Sequence, residues 1–223
     1  MFRIGVLLAW LLWPGLAAAI TLTPITNRAD FRNAAEGVLT IEDFEGEPER
    51  SFGSDASGML QPQRVGNFTI ASGRRANPRE NIIDVMPFQT GPGGSLPPAP
   101  GASANDVVVD VTQRAGGNEV TITFDLPIVA FGGDFAAVRV STTQFEVDGM
   151  RLAFPGGGLE FSGFFGFVAD EPFRTVQLIR AGGDDLYAFD NVTSTAAVPL
   201  PGAAGLLVVG LGLLALRRGR RPA

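Results

Sequence analysis

Apolar residues run without interruption only near the two ends of the sequence. Residues 4–12 form one run behind Met1-Phe2-Arg3, broken at Pro14-Gly15, and residues 196–216 carry no charge. Between them apolar and polar positions alternate in short blocks. The clearest are Glu119-Val-Thr-Ile-Thr-Phe124, which puts Val120, Ile122 and Phe124 on one face, and Thr175-Val-Gln-Leu-Ile-Arg180. A period of two is that of a half-buried strand. Further strands are expected at 38–44, 67–71, 82–85, 106–112, 128–135, 144–147, 151–154, 159–161, 164–169 and 187–192, most with Gly or Pro between them. Residues 20–26 are short and interrupted by Pro24, so they form at most an edge strand. One segment reads as a helix, 27–37, with Asn27 as N-cap, Asp30 near its start, Phe31 and Ala34 or Ala35 on one side, and Gly37 as the stop. Residues 45–66 read as a polar loop, and 91–101, with four prolines and four glycines, as a long one. The pattern predicts an all-β fold, an antiparallel β-sandwich with one short N-terminal helix.

The end runs divide the chain in three. A short basic stretch ending at Arg3, an apolar core too short to span, and Ala17-Ala18-Ala19 make a secretory signal peptide over 1–19. Ala17 and Ala19 are the small residues of an A-x-A site, so cleavage leaves Ile20 first. Residues 20–195 are the exported domain. The tail, 196–223, holds Val198-Pro199-Leu200-Pro201, an apolar run to Leu216, and Arg217, Arg218, Arg220 and Arg221. At ~1.5 Å rise per residue its 21 uncharged residues reach roughly 30 Å as a helix, the thickness of a bilayer core. The prolines shorten the firm helix, so this transmembrane segment spans only just. Its arginines stay in the cytoplasm by the positive-inside rule.

Composition sharpens this picture. There is no Cys, so the domain holds together by core burial alone. All 17 basic residues are Arg, and removing Arg3 and the four tail arginines leaves 12 against 23 acids. Such a domain repels nucleic acid and anionic lipid, so no nucleic-acid partner is expected.

Val198-Pro199-Leu200-Pro201, the Gly/Ala/Leu-rich run and the terminal arginines together resemble the VPLPA-type PEP-CTERM sorting signal of Gram-negative bacteria. Gly202 stands where that family has Ala. The resemblance implies export through the secretion translocon, an inner-membrane intermediate, and cleavage by an exosortase. The protein then ends at the cell surface or outside the cell. Asp43-Phe-Glu-Gly46, Ala130-Phe-Gly-Gly-Asp-Phe135, Phe164-Phe-Gly-Phe-Val-Ala-Asp170 and Phe189-Asp-Asn-Val192 resemble the recurrent β-domain of these proteins and, more loosely, jelly-roll carbohydrate-binding modules. That likeness implies a jelly-roll-like sandwich with an exopolysaccharide or other glycan as possible partner.

The absence of His and Cys removes Ser-His-Asp and Cys-His catalysis, and zinc or copper sites built on those ligands. Carboxylate chemistry is left. Glu146-Val-Asp148 puts two acids on one strand face, but a jelly-roll glycosidase's third acid is replaced by Arg151, and Asp148-Gly149 reads as a hairpin turn. No catalytic residue is assigned. The jelly-roll likeness implies a structural calcium tying an early strand to the last, with Asp43, Glu45 and Asp190 as candidate ligands and Asp184 and Asp185 as spares. Arg74, Arg75 and Arg79 are a basic cluster expected to be solvated or to pair with Glu80 and Asp84 rather than to bind a polyanion. Phe131, Phe164 and Phe165 would stack on sugars only if exposed, and the expected role of the phenylalanines is to fill the space between sheets. The expectation is a non-enzymatic surface or matrix protein, with two alternatives: a calcium-stabilised carbohydrate-binding module, or a permanently anchored membrane protein.

Overall fold

A computed structural model describes residues 20–48, 50–53, 62–72, 82–87, 107–113, 119–180, 182 and 185–197. The signal peptide, the sorting signal and its arginines, Arg74, Arg75, Arg79, Glu80, Asp184 and the loop 91–101 lie outside them. Among the described residues no helix is long and apolar enough to cross a membrane.

The chain begins with strand β1 (Leu22–Ile25) and helix α1 (Arg28–Ala34), followed by strands β2 (Leu39–Glu42), β3 (Arg50–Gly53), β4 (Gln63–Val65), β5 (Phe68–Ser72), β6 (Ile82–Pro87) and β7 (Val107–Gln113). The long strand β8 (Val120–Arg139) precedes β9 (Thr143–Val147), β10 (Met150–Ala153), the equally long β11 (Glu160–Arg180) and β12 (Asp185–Ala196). Among the described residues all strands join one antiparallel 12-stranded sheet with a single short helix, and the all-β expectation holds there.

Asn27 caps α1 as expected, its side chain accepting from Ala29 N at 2.8 Å and Asp30 N at 3.2 Å. The helix stops at Ala34, three residues before Gly37, because the Ala35 backbone leaves helical angles at ψ 94°. Gly37 still takes the left-handed turn (φ 106°) that a stop needs. Asp148-Gly149 is the tight hairpin turn expected: both residues have positive φ, and Val147 pairs directly with Met150.

Two expectations need correction. Residues 45–66 are not all loop, since they contain β3 and β4. β3 is polar and four residues long, and its partner β6 lies far along the chain, so no local pattern marks it. β4 is fixed by the Gly66-Asn67 turn that folds it onto β5. Segments expected as separate strands are also continuous: 119–124 joins 128–135 in β8, and 159–161, 164–169 and 175–180 join in β11. Pro127 and Pro172 do not end these strands but sit at two register shifts of the β8–β11 pairing, Pro172 between Val168 and Phe173 of β11 and Pro127 between Thr123 and Ile128 of β8, at points where a missing N–H breaks no ladder.

These two strands are the spine. Residues 120–124 of β8 lie between β5 and the far end of β11, which continues to β9 and β10. Residues 128–136 of β8 pair instead with β12 and with the near end of β11, and from there the sheet runs through β7, β6 and β3. The sheet bends so that its two halves meet ring to ring. Phe145 of β9 lies 5.7 Å from Phe131, 5.5 Å from Phe135 and 5.7 Å from Phe165, rings carried by the other half. Among phenylalanines whose side chains are described, all but Phe161 are buried.

Phe44 is buried against Phe68 and Phe189 although its backbone sits at φ 58°. For a non-glycine residue that conformation costs about 1–2 kcal/mol, less than burial of a phenylalanine side chain returns.

Outside the main core, α1 lies across β11, and its Phe31 packs with Ala35, Ala130 and Phe164 in a second cluster. Glycines make this close approach possible. A Cβ on Gly166 would sit 2.8 Å from Phe131 O, 2.9 Å from the Phe31 ring and 3.0 Å from Gly132 Cα. Two of those three atoms are backbone, which cannot swing aside. Gly166→Ala is therefore expected to cost about 1–3 kcal/mol by overpacking, read as a lower urea midpoint with faster hydrogen exchange at 28–34. Unchanged exchange in α1 would show that the helix does not depend on this gap.

Candidate functional site

The inner flank of α1 meets β8 and β12 at a buried polar network. Arg28, first residue of the helix, forms an ion pair with Asp134 of β8, and its guanidinium lies 4.8 Å over the Phe164 ring. Asp134 is 3% exposed and its cross-strand partner Asp190 is 2% exposed. Two acids so close and so dry need donors. Asn191 supplies them, its side-chain nitrogen donating to Asp134 Oδ2 at 3.1 Å and Asp190 Oδ2 at 2.9 Å, while its backbone N–H donates to Asp190 Oδ1 at 2.6 Å. Asn191 reaches both because it occupies a bulge in β12 at φ 50°, a conformation asparagine tolerates better than most residues.

Burial raises the Asp134 carboxyl above the usual carboxylate range, with the Arg28 charge, then hydrogen bonds from Arg28 and Asn191, opposing it. Burial wins. A carboxyl whose folded pKa lies above its unfolded value adds stability below the ordinary carboxylate pKa, and that contribution is lost as pH rises through the folded pKa. Asp134→Asn abolishes this loss, so the variant's urea midpoint, relative to the parent, is expected to climb from pH 3.5 to pH 7. A constant offset between the two would refute the assignment.

A second buried network closes the other end of β12. Asp185, 5% exposed, lies 3.3 Å from the guanidinium of Arg180, itself 4% exposed. Asp185 Oδ2 also accepts from the Thr143 hydroxyl at 2.6 Å and from Arg139 N at 3.1 Å, and Oδ1 accepts from Leu186 N at 3.0 Å. Nearby, burial drives the Tyr187 phenol far above its ordinary range, with Arg180 opposing.

The candidate calcium ligands are placed differently from one another. Asp43 and Glu45 are exposed on the β2–β3 turn, where Asp43 Oδ1 accepts from Glu45 N at 3.3 Å and Glu45 Oε1 accepts from Val107 N at 2.9 Å. Asp190 is in the buried network under α1. Among the described residues no group of three or more acids is arranged to hold a metal ion. The early strand β2 meets the last strand by backbone pairing, and Arg28, an internal cation, pairs with Asp134 of β8, the cross-strand partner of Asp190. Glu42, beside that turn, is raised by partial burial, opposed by the Phe44 N–H and reinforced by Glu47 and Asp43.

Glu146 and Asp148 form no acid pair: Glu146 accepts from Arg151 Nε at 2.9 Å and Asp148 is the exposed turn residue. The position that lacks a third acid thus supplies the counter-ion. Phe131, Phe164 and Phe165 are all buried and offer no stacking surface. Sequence reading singled out Asp134 and Asn191 only as parts of motifs and missed Arg28 and Arg180. Arg28 did carry a signal, since a cation in the first turn opposes the helix dipole and needs another reason to be there.

Fold and site define a protein whose described strands are all antiparallel and whose buried acids Asp134, Asp185 and Asp190 are held by hydrogen bonds and ion pairs from within the chain. No family model matches it, and no curated protein matches it. Among solved structures, a variant of the catalytic domain of a GH87 alpha-1,3-glucanase in complex with nigerose aligns over 76% of this chain and 30% of its own, at 16% identity and a TM-score of 0.33. The same catalytic domain in complex with tetrasaccharides gives 17% identity and a TM-score of 0.31. The chain spans about 30% of the length of these structures, and a likeness this slight defines no activity.

Proposed function

We propose that this is an exported, non-enzymatic surface or matrix protein of a Gram-negative bacterium, passed through the translocon and held briefly by its tail in the inner membrane. An exosortase then cuts at Val198-Pro199-Leu200-Pro201. The bent sheet is read as a jelly-roll-like sandwich, since its halves face each other across a shared phenylalanine core. One observation carries the non-enzymatic part of the reading. Each acid that sequence offered for chemistry and that the structure describes is engaged in a hydrogen bond or ion pair or serves as a turn residue, and the candidate aromatic platforms are core. Such a body suits a stable structural unit of an extracellular layer.

Mass spectrometry of the protein recovered from the producing cell tests the route. The expected mature chain begins at Ile20 and ends at or near the Pro box. An intact Arg217–Arg221 end in the extracellular fraction sinks the sorting half of the proposal, and hydrolysis of a glycan by the purified chain sinks the non-enzymatic half.

A further inference from the structure

Ile20 is buried, 6% exposed, as part of the main core cluster. The next residue is gripped by the middle of a different strand, β11. Thr21 N donates to Asp170 Oδ1 at 2.7 Å, and Thr21 O accepts from Asp170 N at 3.3 Å. These contacts set the register of β1, which continues with Leu22 opposite Ala169. The Thr21 backbone N–H, followed by its hydroxyl, holds the Asp170 carboxyl below the usual range, so it is an anion at neutral pH. Consecutive backbone nitrogens are roughly 3–4 Å apart, so the nitrogen of Ile20 is the next one along the chain from the N–H that Asp170 holds and lies no more than roughly 6–7 Å from that carboxylate, a gap that a freed terminus can close by rotating about its own backbone.

That nitrogen belongs to the bond that the A-x-A site marks for cleavage. Hydrolysis adds one water across Ala19–Ile20, leaving a carboxylate on Ala19 and a free amine on Ile20. With an α-amino pKa near 8, the amine is protonated at neutral pH. We infer that Asp170 is the receptor for this new α-ammonium, so that removal of the leader adds a charge pair that fastens β1, the edge strand, to β11.

The surroundings suit this role. β1 itself carries no charged side chain, Glu171 beside Asp170 adds negative charge, Arg174 of β11 acts on Asp125, and Arg151 of the neighbouring β10 is paired with Glu146. No described cation is shown competing for Asp170. Capture of a free terminus by a fixed acceptor is a recognition mode in its own right. The inference rests on the export reading above.

The test uses residues 20–223 in detergent, released from a fusion by a protease cutting immediately before Ile20, against the same chain with Gly-Ser left ahead of Ile20. Each is also made with Asp170→Asn, which keeps an oxygen for the Thr21 N–H but not the charge. The free-amine chain is expected to melt about 2–4 °C higher than the extended one, and Asp170→Asn to erase that advantage. Equal melting of the two parent chains overturns the inference, as does an advantage that survives in Asp170→Asn. Terminal sequencing of the exported protein is a separate readout: a start elsewhere than Ile20 overturns the assigned processing site, whereas the four-chain comparison tests capture by Asp170 whatever the cell does.

Discussion

Asp185→Ala is expected to lower stability by about 3–5 kcal/mol, because it takes the carboxylate counter-charge away from a buried guanidinium. Arg180 has a side chain with no exposure, and Asp185 has 4%. The alanine also deprives the Thr143 hydroxyl and the Arg139 N–H of their acceptor. For a domain of this size the loss corresponds to a drop in melting temperature of roughly 6–20 °C. Asp185→Asn separates the contributions, since its amide oxygen still accepts hydrogen bonds while the charge is gone. The asparagine variant should lie between parent and alanine. A loss below about 1 kcal/mol in Asp185→Ala would mean that water reaches Arg180, contrary to its burial.

Phe145→Ala is expected to cost about 3–5 kcal/mol, by lost burial and by the cavity it leaves. Phe145 is the ring on which the two halves of the sheet converge, with Phe131, Phe135, Phe154, Phe165 and Phe167 all within 5.8 Å between centroids. Phe145→Leu, which refills part of the volume, should recover much of the loss. Denaturant titration of the three chains decides the matter. Equal destabilisation by Leu and Ala would show that aromatic geometry rather than filled space holds the halves together.

Much of the fold was legible where local pattern and tertiary demand coincide. Strict alternation at 119–124 and 175–180 marked strands with one buried face, Asn27 marked a helix start by its side-chain acceptor, and Asp148-Gly149 marked a hairpin by its tolerance of positive φ. What escaped depends on partners distant in sequence. β3 is a strand because β6 is beside it, and Pro127 and Pro172 bend strands rather than end them because pairing resumes on both sides. The buried charges escaped for the same reason. Asp185 reads as a spare ligand in a solvated turn until Arg180, Thr143 and the Arg139 backbone are brought around it. Asp190 was legible as an important residue of the last strand, but its partner across the sheet, Asp134, and the arginine answering them came from elements that no spacing rule connects.

Because β8 and β11 each run through both halves of the sheet, neither half owns a complete set of strands. Chain severed near Pro127 would leave two fragments with open ladders on each, so unfolding should proceed as one cooperative event, and pulling on either end should load both halves together. A layer built from such units would yield by whole molecules letting go, not by gradual fraying within each one.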